Sequence, residues 1–134
     1  MDCPDCGTPT VAFAVPEPYR GHAPDGASAA LCPSCLTLTA AEDASVAPAP
    51  DEADFSRIVD SFPDGEAGAA MALAVGLLVE SLTLNRDAIA ALFEAVADAG
   101  EDPWLVLERL HAAGSVQPDA DLGRARRQLE QLER

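Results

Sequence analysis

Hydrophobic and polar positions change their period along this chain, and the changes mark its elements. Near the start, Val11, Phe13 and Val15 alternate with Thr10, Ala12 and Ala14 until Pro16, the period-two pattern of a short strand with one buried face. Residues 16–26 hold three prolines and two glycines and predict a loop. Residues 29–31 and 36–39 read as two further short strands, although 27–31 fits a helical turn equally well. Residues 40–50 are alanine, acid and proline without periodicity, which predicts a linker. From Asp51 the period becomes helical. Phe55, Ile58, Val59 and Phe62 fall at i, i+3, i+4 and i+7 on one face, with Asp51, Glu52 and Asp54 placed for a positive helix start, and Pro63-Asp64-Gly65 turns the chain.

The most apolar segment follows, over residues 66–84, with Met71, Leu73, Val75, Leu77, Leu78, Val79 and Leu82 spread around every face. A helix apolar all round belongs at the centre of a bundle or partly in an oligomer interface. Gly68, Ala69, Ala72 and Gly76 leave one side open to a close neighbour. Asn85 is placed to cap the next helix, whose expected buried face is Ile89, Leu92, Phe93, Val96 and Ala97 and which Gly100 ends. Asp102-Pro103 opens another, carrying Trp104, Leu107 and Leu110 to a stop at Gly114. The last starts near Asp119 after Pro118, with Leu122, Ala125, Leu129 and Leu132 as a narrow seam. The expected fold class is α+β: a small zinc-ribbon-like N-terminal module over residues 1–39, a linker over 40–50, and a bundle of about five helices over 51–134.

Composition narrows the kind of core. Among 134 residues, 27 are alanine and six are aromatic, so helices must pack closely on small side chains. The charge is lopsided: 23 acidic residues against eight basic ones, all arginine, for a formal net charge of −15. Such a surface repels polyanions and anionic membranes in dilute buffer. Lysine-free, acid-rich composition fits a cytosol of molar salt, where carboxylates keep a protein hydrated. A GC-rich genome would explain the missing lysine through codon usage, but the acidic excess needs the salt argument. At ~1 M salt the Debye length is only ~3 Å, and net charge then says little about partners. The opening Met1-Asp2-Cys3 has no basic start or apolar leader, and the apolar stretch at 67–79 has 13 residues, short of the ~20 that span a bilayer. A cytoplasmic protein without a membrane partner is expected.

The chemistry sits in four cysteines. Cys3 and Cys6 form one pair, Cys32 and Cys35 the other, with 25 residues between the pairs. Two thiolates three positions apart reach one ion only across a tight turn, and a second such turn completes a tetrahedron. Gly7 supports the first turn because glycine adopts positive φ without penalty, whereas Leu36 stands at the equivalent place in the second. In a reducing cytosol such pairs favour metal over disulfide. One structural zinc per chain is the expectation, with iron the weaker alternative because all-thiolate tetrahedra suit both metals while the aromatic cluster expected around an iron centre is missing. About 40 residues cannot bury a stable core unaided, so metal binding, worth ~10–16 kcal/mol in small zinc domains, would fold the module. The helices would then survive its loss.

Nothing else in the chain points to catalysis. A four-cysteine site is coordinatively closed and leaves no position for water. His22 falls in the proline-rich loop and reads as exposed, and His111 falls on a last helical turn, where a cation meets the dipole. Arg124, Arg126 and Arg127 are balanced by neighbouring acids and read as a salt-bridged, solvated helix face. The chain lacks a Gly-rich phosphate loop, a nucleophile elbow and an HExxH pattern.

Cys3-Pro4-Asp5-Cys6-Gly7 with Cys32-Pro33-Ser34-Cys35, the acid-rich lysine-free surface and the Ala/Leu helical tail resemble a haloarchaeal family of small acidic CPxCG zinc-finger proteins of unknown function. The likeness extends along most of the chain, including Phe62-Pro63-Asp64-Gly65-Glu66 and Leu84-Asn85-Arg86. The resemblance implies a zinc-ribbon-like N-terminus, a haloarchaeal source and no assigned activity. A non-enzymatic scaffold or interaction protein is therefore expected, with a protein partner and a homodimer through the helical part. The alternatives are a nucleic-acid-associated regulator, nucleic acid being the weaker partner, and a thiol-based redox or metal-responsive switch.

Overall fold

The computed structural model describes residues 3, 7–23, 28–40, 48–113 and 122–132, with only the backbone at 122 and 132. Three short strands come first: β1 (Val11–Ala14), β2 (Ser28–Leu31) and β3 (Leu38–Thr39). They form an antiparallel sheet in the order β1-β2-β3, with Val11 opposite Leu31 and Leu31 opposite Leu38. The alternation read along β1 holds, since Val11, Phe13 and Val15 are buried while Ala12 and Ala14 are partly exposed. Residues 28–31 are strand, not helical turn, and all four are buried, so this central strand is covered on both faces. The third strand begins two residues later than expected because residues 32–36 are taken up by a turn, described below. Between β1 and β2 the prolines set a short 3-10 helix, Glu17–His22. His22 is half-buried there, not exposed.

Residues 48–57 hold to the sheet before the helices begin. The amide of Ala14 donates to the carbonyl of Pro48 (2.7 Å), which extends the outer edge of β1. The Arg57 guanidinium donates to the carbonyls of Pro9 (2.8 Å) and Thr10 (3.2 Å) and so clasps the segment entering β1. The helix expected around Phe55, Ile58, Val59 and Phe62 is only a single 3-10 turn, Phe55–Arg57. Asp54 before it is non-helical, and Pro63 restricts the residue it follows, leaving too few residues to offset helix nucleation. The apolar face is nevertheless real: Phe55, Ile58 and Phe62 are buried, with Phe55 edge-on to Phe13 (5.4 Å) and stacked with Phe62 (5.8 Å).

Helix α1 (Gly65–Asp98) then runs through the molecule. Every residue from Ala67 to Gly76 is buried, as the all-round apolar pattern requires. Its glycines admit neighbours: a Cβ on Gly68 would lie 2.6 Å from the Phe55 ring, and one on Gly76 would press into Leu38 of β3. The helix is broken at Ser81, whose φ of −168° and ψ of 106° are extended. The Ser81 hydroxyl accepts from the Leu84 amide (3.2 Å), and the Asn85 side chain donates backwards to the Leu77 carbonyl (3.0 Å). Ser81, not Asn85, therefore caps the second half, and Asn85 closes the first. By length and composition α1 is apolar enough to cross a membrane, but most of it is buried against the rest of the chain, as in a core helix.

The end of α1 matches its sequence signal. Gly100 takes a φ of 92°, its amide donates to Ala97 and that of Glu101 to Val96, a Schellman closure. Ala97, expected inside, is exposed, while Ile89, Leu92, Phe93 and Val96 are buried. Asp102 caps α2 (Pro103–Ala112) by accepting from the amides of Trp104 and Leu105. Trp104 meets Phe93 edge-on at 5.1 Å. His111 is exposed on the last turn, as expected. In α3 (Leu122–Leu132), Ala125 and Leu129 of the expected seam are buried, and Arg126 pairs with Glu130 at 3.3 Å. The expected boundary residues Gly114, Pro118 and Asp119 lie outside the described residues. One apolar cluster joins the sheet residues Phe13, Leu31 and Leu36 to Phe55, Met71, Leu92, Leu107 and Leu129. The architecture is α+β, a small antiparallel sheet followed by helices.

Candidate metal centre

Cys3 and Cys32 each sit at a turn, and the two turns have the same backbone bonding. In the first, the Gly7 amide donates to the Cys3 carbonyl (2.8 Å) and the Cys3 amide to the Thr8 carbonyl (2.9 Å). In the second, the Leu36 amide donates to the Cys32 carbonyl (3.0 Å) and the Cys32 amide to the Thr37 carbonyl (3.0 Å). The second turn connects β2 to β3, and the first leads into β1. Both turns need a left-handed residue one step after the second cysteine: Gly7 takes φ 75° and Leu36 takes φ 61°. Leu36 is the only non-glycine residue with positive φ among the described residues. It holds the glycine's conformation because its side chain is fully buried in the core beneath the sheet. The expected difference between the two turns is thus one of side chain, not of backbone.

Three sulfurs come together. Cys3, Cys32 and Cys35 are buried, and their Sγ atoms all lie within 4.8 Å of one another. Cys3 Sγ and Cys35 Sγ are 3.6 Å apart. A disulfide needs ~2.05 Å. Thiolates at ~2.3 Å around one tetrahedral ion are separated by about 3.8 Å, close to the distance seen. The amides of Ser34 and Cys35 both point at Cys32 Sγ (3.4 Å each), the setting in which a ligating thiolate is held. The Thr37 hydroxyl lies 3.1 Å from Cys35 Sγ. The trio can hold a metal ion. Cys6, the fourth expected ligand, lies outside the described residues. Neither His22 nor His111 joins this group.

Threonine 37 was not anticipated as part of the centre, yet the sequence carries its signal. Cys-Pro-Asp-Cys-Gly-Thr at residues 3–8 and Cys-Pro-Ser-Cys-Leu-Thr at 32–37 are one repeated pattern, each ending in a threonine whose carbonyl closes its turn. Residues 2–133 are matched by a family of unknown function, DUF6276. The chain belongs to this family. No curated protein and no solved structure matches it. The match to DUF6276 covers both cysteine turns and all three helices together, so the sheet and the helices that pack on it are parts of one family pattern.

Proposed function

We propose that this DUF6276 chain is a non-enzymatic protein built on one structural zinc ion held by Cys3, Cys6, Cys32 and Cys35 in a zinc-ribbon-like setting. The observation that carries the reading is the convergence of three buried sulfurs on two turns of identical backbone bonding. Cys6 holds the sequence position in the first turn that Cys35 holds in the second, and so is the fourth ligand. Four thiolates fill a tetrahedral ion and leave it no open site, so the ion supports the fold and does no chemistry. A halophilic, cytoplasmic setting of haloarchaeal type follows from the net charge of −15 without lysine. The role is that of a scaffold or interaction protein. Its partner is another protein, which meets the exposed surface, because residues 67–76 of α1 and Ala125 and Leu129 of α3 are already buried inside the chain.

Elemental analysis of protein purified in high salt without added metal tests the site. One zinc per chain is expected, falling to near zero in Cys32→Ser. Iron in place of zinc overturns the structural-zinc reading in favour of electron transfer, and metal-free wild-type protein with four titratable thiols overturns it in favour of a thiol switch.

A further inference from the structure

The break in α1 opens a second feature of the molecule, away from the sulfurs. Between the 3-10 helix Glu17–His22, strand β3 and the end of the first half of α1 lies a cavity of about 650 Å³. Its walls include His22, Thr37, Leu38, Leu77, Glu80 and Asn85. We infer that this cavity binds a small aliphatic amine in its ammonium form.

Glu80 sets the charge of the cavity. The first half of α1 ends there and the second half, capped by Ser81, begins there, so the two helix dipoles offset each other. At the break the Leu84 amide donates to the Ser81 hydroxyl. The Asn85 side chain donates to the Leu77 carbonyl. The Glu80 carboxylate adds a full negative charge at the same end and has no ion-pair partner among the described residues. The His22 imidazole lines the same cavity. An ammonium group offers three donors and a positive charge to this set. Leu38 and Leu77 provide an apolar wall for an alkyl body. A transition metal fits poorly: His22 and Glu80 belong to no cluster of closely spaced ligand atoms among the described residues.

The test uses the full-length, metal-loaded chain and n-butylamine, followed by amide NMR shifts at constant ionic strength. Saturable shifts are expected at Gly76, Glu80, Asn85 and Thr37, with n-butanol and butyrate binding at least tenfold more weakly. Glu80→Gln should weaken the amine roughly tenfold, as loss of a charge-assisted hydrogen bond does, while Glu94→Gln, the same charge change elsewhere, leaves it unaltered. Equal binding of n-butanol overturns the inference in favour of an apolar pocket. Shifts spread over the acidic surface without saturation, or the same weakening in both variants, overturn it in favour of general counterion attraction. Glu80 is exposed, so its replacement leaves the core intact. If that variant nevertheless misfolds, the ranking of amine over alcohol over carboxylate in the wild type decides alone.

Discussion

Leu36 is where the demands of backbone and core meet in one residue. An L-residue in the left-handed region costs roughly 1–2 kcal/mol. Burying a leucine side chain returns about 1.5–3 kcal/mol, and Leu36 is fully buried. The second turn therefore tolerates leucine where the first uses glycine, since Gly7 is exposed and has nothing to bury. Two substitutions separate the effects. Leu36→Ala keeps the strained φ and loses the packing, and should cost about 2–4 kcal/mol in chemical denaturation of the metal-loaded protein. Leu36→Gly loses the same packing but relieves the strain, and should cost about 1 kcal/mol less than alanine. Elsewhere glycine is ordinarily the worse of the two, so an alanine variant more stable than the glycine variant would contradict the left-handed assignment. Tyr19 is a quieter case: partial burial, then the carboxylates of Glu66 and Asp98, push its phenol above the ordinary range, so it stays neutral where the 3-10 helix rests on α1.

Among the elements, α1 depends most on its smallest residues. Gly68 faces both the Phe55 ring and the Pro63 carbonyl, neither of which can swing away. Gly68→Ala should gain ~1 kcal/mol of helix propensity and lose more to overpacking, for a net cost of about 1–2 kcal/mol and a lower melting temperature. Gly21→Ala, where a methyl would meet open space, should leave it near the wild-type value. What the sequence revealed of these elements follows the range of the forces involved. Gly100 and the Asp102-Pro103 pair act on amides within a turn of themselves, and both ends were readable. So was the alternation along β1, because one face of that strand meets the core. The face of Phe55, Ile58 and Phe62 was readable too, but its backbone was not, since the rings are gathered by Phe13 from another part of the chain. Ser81 hid its break for a related reason: the Asn85 side chain reaches eight residues back to Leu77, and an asparagine after a leucine run looks like an ordinary start signal. At the cysteines, spacing identified the ligands, while the matching threonines at 8 and 37 passed unnoticed in a residue type with no special metal affinity.

At the scale of the whole molecule the question is whether the sheet and the helices stand or fall together. Sequence periodicity suggests a metal-folded N-terminal part and helices that outlast it. The packing argues for tighter coupling. Phe13 is edge-on to Phe55, Leu38 fills the notch at Gly76, Arg57 clasps Pro9 and Thr10, and a single apolar cluster runs from Val11 to Leu129. Losing the sheet would expose Phe55 and much of the buried half of α1 to water, at ~25 cal/mol for each Å² of apolar surface. Trp104 gives a reporter for this, because it is the only tryptophan and packs on Phe93 of α1, outside the cysteine turns. In Cys32→Ser the Trp104 fluorescence transition should move to markedly lower denaturant and still coincide with the loss of helix seen by circular dichroism. An unchanged Trp104 midpoint would show helices that stand independently of the metal. A shifted one would mean that any change at the cysteines, whether metal loss or oxidation, is felt throughout the helices, so that this small centre sets the stability of the entire chain.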